Sequence, residues 1–475
     1  MAGPGRELER RRELASKCRS CGTCHSVCPV FAEVRVESSA ARGKVALVKA
    51  ILDGDVDPSR TFDDRLQLCL NCKACVANCP NGVQVDDLVL AARSGLVEAG
   101  RLPFVKRVAF RFLLRRGRLL PPFGRLGSFF QRVLLRGLPE NSVYRRLLPI
   151  VGMDRDRVLP EFAPRALTRS VPEHNPAAGG SPARLDGEGR TRRIGFFVGC
   201  ATNLIYPETG RAIVRTLTRA GFDVIVPRRQ VCCGTPVFNS GDYVTARELA
   251  RKNIQVFGRA DVEAVIVCCA SGGLALKREY DETLGIDGGF GIPVYDFSEF
   301  LAREGLLGLR DANGPRSDDV PVDADAEKAD ADASTTAGVR GRLRVTYHEP
   351  CHLVRGQGIT EEPRELIRSL PWVEFVEMRD SDRCCGGGGS FTFMHYDVAS
   401  LVGERKAECI RETDADVVVT ECPSCVMQLR DMVARYGIDV EVIALADLLA
   451  LHDKIAEGSA AGTTPARSEH AGARE

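Results

Sequence analysis

The chain has 475 residues, 44% of them hydrophobic and 27% charged, which suits two or three globular domains and excludes wholesale disorder. Its 65 Lys and Arg against 64 Asp and Glu give a formal net charge of +1, so global charge offers no sign of a polyanion partner and no nucleic acid is expected. Nineteen cysteines stand out; with no apolar leader at the N-terminus and no run near the roughly 18 apolar residues of a membrane span, the expectation is a cytoplasmic chain whose clustered thiols bind metal.

Residues 1–100 carry two cysteine clusters, separated by a helical pattern at 41–52 and a turn at 53–59. Cys18, Cys21, Cys24 and Cys28, followed by Pro29, have the spacing C-x2-C-x2-C-x3-C-P; Cys69, Cys72, Cys75 and Cys79, followed by Pro80, repeat it without deviation. Three cysteines at intervals of three let one wrapping loop set three thiolates on one face of a cubane. The fourth reaches across, and in two-cluster ferredoxins it ligates the other cluster. The spacing therefore assigns Cys18, Cys21, Cys24 and Cys79 to one [4Fe–4S] cluster, and Cys69, Cys72, Cys75 and Cys28 to the other. Zinc is the competing reading, because C-x2-C pairs also build four-cysteine zinc sites. Zinc does not account for a third cysteine in step and a Cys-Pro, twice. His25, beside Cys24, is either a hydrogen-bond partner of a cluster or an ordinary loop residue.

Residues 101–190 read as a basic helical connector and linker. Between 101 and 150 twelve Lys or Arg face a single acid, Glu140. Pro103, Gly117, Pro121, Pro122, Gly124 and Gly127 break the pattern, so no single long helix is expected. Three roles stay open: a surface lying on the inner face of the cytoplasmic membrane, a dock for an acidic partner, or a solvated linker. Residues 163–190, rich in Pro, Gly and Ala, read as linker.

Residues 191–310 and 341–455 repeat one order of elements. Each copy opens with a strand ending in cysteine, continues through a helix, a second strand and a Cys-Cys-Gly turn, and then gives a helix, an apolar strand, another cysteine site and a last strand running into a helix. The offsets Cys200 to Cys351, Cys233 to Cys385 and Cys269 to Cys422 are 151, 152 and 153 residues, as duplication requires. Alternating helices and apolar strands predict mainly parallel sheets. The fold class is thus α+β multidomain: a mainly α-helical two-[4Fe–4S] ferredoxin-type domain followed by a duplicated α/β Cys-Cys-Gly domain. The acidic stretch 311–340 and the tail 456–475 read as disordered, since neither can bury enough surface to offset its chain entropy.

The second copy holds Cys351, Cys384, Cys385, Cys422 and Cys425, at the carboxyl ends of its strands. Five thiolates exceed an ordinary zinc site and suit an additional iron–sulfur cluster with an atypical ligand count. The glycine run 386–389 either lets backbone pass close to a bulky group or is a flexible loop. The first copy offers Cys200, Cys232, Cys233 and Cys269, but Gly272 stands where the last cysteine belongs and Cys268 is one position out of step; whether it binds metal stays open. Cys409 reads as a small core residue. His348 and His352 flank Cys351 as cluster neighbours or as strand-end polar residues with local partners.

With both copies read, the chain resembles the Cys-Cys-Gly-domain iron–sulfur family. That family includes the glycolate oxidase iron–sulfur subunit, the anaerobic glycerol-3-phosphate dehydrogenase C subunit, lactate-utilisation proteins and the heterodisulfide reductase catalytic subunit. The two-cubane module, the Ala41-Arg42-Gly43-Lys44 helix start and both repeats carry the resemblance; Ala270-Ser271-Gly272 is most similar to the glycolate oxidase subunit. The resemblance implies an electron-transfer subunit of a 2-hydroxy-acid (glycolate- or lactate-type) oxidase or dehydrogenase. It would relay electrons from an FAD-containing flavoprotein through two [4Fe–4S] clusters; the receiver is the Cys-Cys-Gly site or an external acceptor, for which a membrane-bound electron acceptor is one candidate. The complete five-cysteine set in the second copy departs from that pattern. It keeps open a heterodisulfide reductase-like catalyst with Cys384 and Cys385 as candidate catalytic residues. No G-x-G-x-x-G follows a predicted strand, so a flavin or nicotinamide of the chain's own is not expected. A scaffold of structural zinc sites is the third reading.

Overall fold

Short apolar runs rich in Val and Ile, each followed by a turn and a helix, build two small sheets in the duplicated part of the chain. The computed structural model describes residues 5–115, 122, 124–126, 157–158, 160–178, 183–306 and 342–452. The stretches expected to be disordered, 311–340 and 456–475, lie outside the described residues, as does most of the basic connector beyond residue 115.

The first sheet comprises β1 (His174–Asn175), β2 (Arg193–Phe197), β3 (Asp223–Ile225), β4 (Ala264–Val267) and β5 (Val294–Asp296), in the order β1-β3-β2-β4-β5. The second comprises β6 (Leu343–Tyr347), β7 (Val373–Phe375), β8 (Val417–Thr420) and β9 (Glu441–Ala444), in the order β7-β6-β8-β9. All pairings are parallel except β1 with β3. With β1 set aside, both sheets follow one topology, in which the strand order reverses between β2 and β4 and between β6 and β8. That reversal opens a crevice at the carboxyl ends of the strands, where residues just beyond them converge. β1 arises within the stretch read as linker. Its two residues are too few to show a period, and its hold is local: His174 Nε2 pairs with Asp223 Oδ2 at 3.1 Å, and Asn175 Nδ2 donates to the Val224 carbonyl at 3.2 Å.

The two repeats share one core, in which Phe196, Phe222 and Phe300 of the first join Tyr347, Trp372 and Val419 of the second. Burial of such aromatic and aliphatic side chains contributes about 1.5–3 kcal/mol each. The Trp372 indole N–H donates to His452 Nδ1 at 2.8 Å, so its one polar atom is satisfied. The cysteine-rich N-terminal module has its own core on the helices Ala41–Asp53 and Val85–Glu98, through Val45, Val48, Leu88 and Val89. Gly43 is needed there, because a Cβ would overlap the Glu37 carbonyl where the helix start sits on the preceding turn.

This module touches both repeats. Leu90, Leu102 and Phe110 share a core with Phe238 and Tyr243 of the first; Leu70 and Cys72 share one with Cys384 and Phe391 of the second. The basic connector begins as the helix Phe104–Val108 and a π-helical turn Ala109–Leu114. Arg111 and Arg115 pair with Asp242 and Glu248 of the first repeat at 2.8 Å, while Phe104 and Val105 remain 74% and 68% exposed. Among the described residues no helix is long and apolar enough to cross a membrane.

Candidate metal centres

Both N-terminal cysteine loops end in a Cys-Pro that starts or redirects a short helix. Pro29 occupies the first turn of the helix Pro29–Val34, where its missing N–H costs nothing. The chain after each proline returns an amide to the last sulfur: Phe31 N–H donates to Cys28 Sγ at 3.5 Å, and Val83 N–H to Cys79 Sγ at 3.3 Å. Cys18, Cys21, Cys24, Cys75 and Cys79 line one pocket with Gly22 and Arg42. Cys28 lies instead with Cys69, Cys72 and Cys75; burial raises its thiol pKa, and the Cys72 and Cys69 thiols add to that. The loops thus cross over, each sending its fourth sulfur toward the other's first three. A void bounded by thiols fits a sulfur-ligated cluster better than a disulfide framework, and all nineteen cysteines are free thiols.

Around the second loop two buried cations are anchored on carbonyls. Arg93 donates to the Leu66 carbonyl at 2.7 Å, the Cys69 carbonyl at 3.0 Å and, across the module boundary, the Asn239 carbonyl at 2.6 Å. Lys44 is 2% exposed and its ammonium bonds the Ser39 carbonyl; burial lowers its pKa, and the thiols of Cys69 and Cys28 oppose that shift. The first loop is more open, and Cys21 is exposed to solvent.

In the second repeat, β6 ends at Tyr347 and Cys351 opens the helix Cys351–Gln357, while β8 ends at Thr420 and Cys422 caps the helix Pro423–Arg435 that carries Cys425. Cys384 and Cys385 enter from the turn after β7. The Gly386 φ of 86° suits glycine alone, and a Cβ would overlap the Ala399 carbonyl. Gly388 sits against Leu70 of the N-terminal module, so the glycine run is a packed crossing and not a loose loop.

All five thiols meet here. Cys384 interacts with Cys351, and Cys385 and Cys422 both interact with Cys425. His348 is fully buried, with both ring nitrogens lacking a hydrogen-bond partner among the described residues; one nitrogen lies within 4.8 Å of the Cys385 and Cys425 sulfurs, which lie as close to each other. The Cys425 thiol and then the His348 imidazole hold Cys385 well below the ordinary thiol range. Cys422 is lowered likewise by Cys269 and Cys425. Converging buried thiols beside an imidazole are the donor chemistry of a metal centre.

The first repeat divides its cysteines. Cys200, Cys232 and Cys233 form a buried knot, in which Cys232 brings Cys200 down to about 7. Asn253 Nδ2 donates to the Cys232 carbonyl at 3.1 Å and Tyr280 Oη to the Cys233 carbonyl at 2.9 Å. Cys269 turns to the other repeat, where its thiol meets Cys422. Cys268 stands apart beside Thr202 Oγ1 at 3.4 Å, and burial pushes its thiol up to about 12. Cys409 is buried in the helix Tyr396–Arg411.

Several residues at the junction escape a reading by motif. Cys72 and Cys384 interact through their thiols, joining the N-terminal module to the second repeat. His352 bonds the Asn71 carbonyl through Nε2 at 2.7 Å and Ser271 Oγ through Nδ1 at 3.0 Å, so one imidazole ties all three modules. Arg355 Nε donates to the Cys72 carbonyl at 2.9 Å. Adjacency to Cys351 was the only sequence signal for His352, and nothing in the spacing marked Arg355 or Arg93.

Two families match the chain: the 4Fe-4S dicluster domain over residues 14–83, and the cysteine-rich domain with its Cys-Cys-Gly motif over residues 194–277 and again over 345–430. The probable glycolate oxidase iron-sulfur subunit of Bacillus subtilis (strain 168) is 31% identical over 439 residues, covering 91% of this chain and 92% of that protein. The glycolate oxidase iron-sulfur subunit of Escherichia coli (strain K12) is 26% identical over 411 residues, with 86% and 88% covered. One subunit of the fumarate reductase (CoM/CoB) of Methanothermobacter marburgensis is 36% identical over 267 residues, which are 55% of this chain and 47% of that longer protein.

Proposed function

Because the chain belongs to the Cys-Cys-Gly-domain iron–sulfur family, that of the glycolate oxidase iron–sulfur subunits, and is an electron-transfer subunit of an oxidoreductase complex, we propose that its complex oxidises a 2-hydroxy acid of the glycolate or lactate type. An FAD-containing flavoprotein is the proposed donor, and a membrane-bound carrier the proposed acceptor. The proposed cofactors are two [4Fe–4S] clusters, held by Cys18, Cys21, Cys24 and Cys79 and by Cys69, Cys72, Cys75 and Cys28. A further iron–sulfur cluster is assigned to Cys351, Cys384, Cys385, Cys422 and Cys425. Such clusters supply one-electron redox chemistry, and the protein supplies burial, charge and hydrogen bonds that set their potentials.

The observation that supports this reading is the packing of Cys72 and Cys384 in one buried cluster, which brings the N-terminal sulfurs to those of the second repeat. The test is anaerobic co-purification with the flavoprotein, followed by addition of glycolate or lactate. Reduction of iron–sulfur signals on this chain supports the reading. A colourless chain holding zinc and no iron, or one that never accepts electrons from the flavoprotein, refutes it.

The proposed location is the inner face of the cytoplasmic membrane. Phe104 and Val105 are the residues to substitute there, since Arg111 and Arg115 are engaged with Asp242 and Glu248. Serine at both positions should reduce co-sedimentation with anionic vesicles; unchanged sedimentation argues for a purely protein dock.

A second reading, disulfide reduction at Cys384 and Cys385, is favoured by one observation, the lowered pKa of Cys385 beside His348. It requires thiol release from a heterodisulfide by this polypeptide alone with a reduced dye. Absence of turnover under those conditions eliminates it.

A further inference from the structure

Two histidines flank Cys351, and their surroundings are opposite in kind. His352 is fully engaged: Nε2 donates to the Asn71 carbonyl at 2.7 Å, which leaves Nδ1 to accept from Ser271 Oγ at 3.0 Å. His348 is fully buried, yet neither of its ring nitrogens has a hydrogen-bond partner among the described residues. Leaving a buried N–H donor and a buried nitrogen acceptor unpaired is costly, so such a ring marks the place of a group that satisfies it. What the ring faces is sulfur. One nitrogen and the Cys385 and Cys425 sulfurs all lie within 4.8 Å of one another, close enough for the three to share one metal atom.

The backbone sets where that ring sits. The His348 amide extends the ladder of β6 with β8, donating to the Val419 carbonyl at 2.9 Å. Glu349, the next residue, gives its amide to the Ser381 carbonyl at 3.1 Å and accepts from Ser381 Oγ at 3.1 Å and Arg364 Nη1 at 2.6 Å. The strand end that carries His348 is thus fastened to the turn that carries Cys384 and Cys385. A donor mounted this way is already in place when the metal arrives.

We propose that His348 is a nitrogen ligand of the second-repeat iron–sulfur centre, binding beside the thiolates of Cys385 and Cys425. The inference rests on the iron–sulfur reading above. Imidazole binds as a neutral donor through one lone pair, whereas cysteine binds as a thiolate, so His348 adds a ligand without adding negative charge. Uptake of an electron is then easier than with a thiolate in its place, as histidine ligation raises the potential of Rieske centres above that of all-cysteine ones. This favours electron flow into the second repeat from the N-terminal clusters, whose eight assigned ligands are all cysteines. In that step a cluster loses one electron and the second-repeat centre gains it; no bond forms or breaks.

The test is pulsed EPR of the anaerobically purified full chain, poised with redox dyes and prepared with ordinary and with nitrogen-labelled histidine. A strong nitrogen coupling that changes with the histidine label and disappears in His348→Gln is expected. His348→Cys, which supplies a thiolate at the same place, should retain iron and lose the coupling. It should also lower the equilibrium constant for reducing the centre about tenfold, which for one electron is about 59 mV. If His348→Gln fails to retain iron, the labelled wild-type chain and His348→Cys still decide the matter. Wild-type iron–sulfur signals without histidine coupling would overturn the proposal, leaving His348 a weak S–H···N partner of Cys385 and the iron–sulfur reading intact. Coupling that survives in His348→Cys, or a potential unmoved in that variant, would overturn it equally. A wild-type chain holding zinc and no iron would overturn both.

Discussion

The two repeats share a strand order and three cysteine landmarks, yet they surround their sulfurs differently. In the second, five thiols lie among Arg355, His348 and the buried Lys406, whose ammonium donates to the Ser381 carbonyl at 3.2 Å. In the first, three thiols lie among the uncharged polar groups of Thr235, Asn253 and Tyr280, with Glu279 beside Cys233 pushed up to about 8 by burial. The apolar frame is held in common because both sheets feed one core, so neither can change its packing alone. The polar lining of each crevice is under no such constraint. At an effective dielectric of about 20, a unit charge about 6 Å away is worth about 3 kcal/mol, more than a hundredfold in an electron-transfer equilibrium. Charge lining and thiol number, and not fold, separate the halves.

The comparison breaks most visibly at the cysteines. Cys385→Ser should cut electron delivery to an external acceptor by about 100-fold or more, whereas Cys232→Ser should cost only about fivefold, in line with the penalties of damaged metal sites. Dye-linked turnover of the reconstituted complex measures both, and equal losses would mean that the halves act as one site.

The next largest effect is on stability, at the paired Cys-Cys-Gly turns. Gly386→Ala drives a Cβ into the Ala399 carbonyl at a φ of 86° and should cost about 2–4 kcal/mol. At Gly234 the nearest atom to an added Cβ is the Ala246 carbonyl oxygen at 3.6 Å, so Gly234→Ala should cost only the backbone strain, about 1–2 kcal/mol. Denaturant midpoints of the two variants decide the order.

Gly272→Cys sharpens the contrast in the other direction. A Cβ there meets Cys269 Cβ at 3.5 Å, an ordinary contact, so the thiol missing from the first repeat should fit within about 1 kcal/mol. Iron per chain should rise in this variant; an unchanged iron content would show that more than one missing thiol separates the halves.

The smallest effect concerns Glu279. Burial raises its pKa from 4.5 to about 8, so between those values the native state keeps a proton that the unfolded chain has released. Stability should therefore fall as pH rises through that window and level off above it. Glu279→Gln should remove that component of the slope, as measured by chemical denaturation at each end of the window.

Much of this was legible in the sequence. The run Ala264–Val267 is buried at every position, as its unbroken apolar character requires of a central parallel strand. The turn-borne cysteines fall at strand ends because a parallel sheet returns every crossover to the same edge. What the sequence could not show is how the edges face one another. The approach of Cys269 to Cys422, more than 150 positions away, depends on two sheets sharing a core, and no local period encodes that docking. The same holds for Arg355 and Arg93, each of which reaches a backbone carbonyl on another module. An acceptor present in every residue leaves no sequence signature. β1 was missed for a simpler reason, being two residues long.

Rapid freeze-quench EPR of the full complex, mixed anaerobically with the proposed substrate, glycolate or lactate, tests the central claim most directly. The account predicts that signals of the N-terminal clusters appear first and a distinct second-repeat signal follows, the latter absent in Cys384→Ser. A second-repeat signal that never appears, or one that persists unchanged in Cys384→Ser, would contradict it.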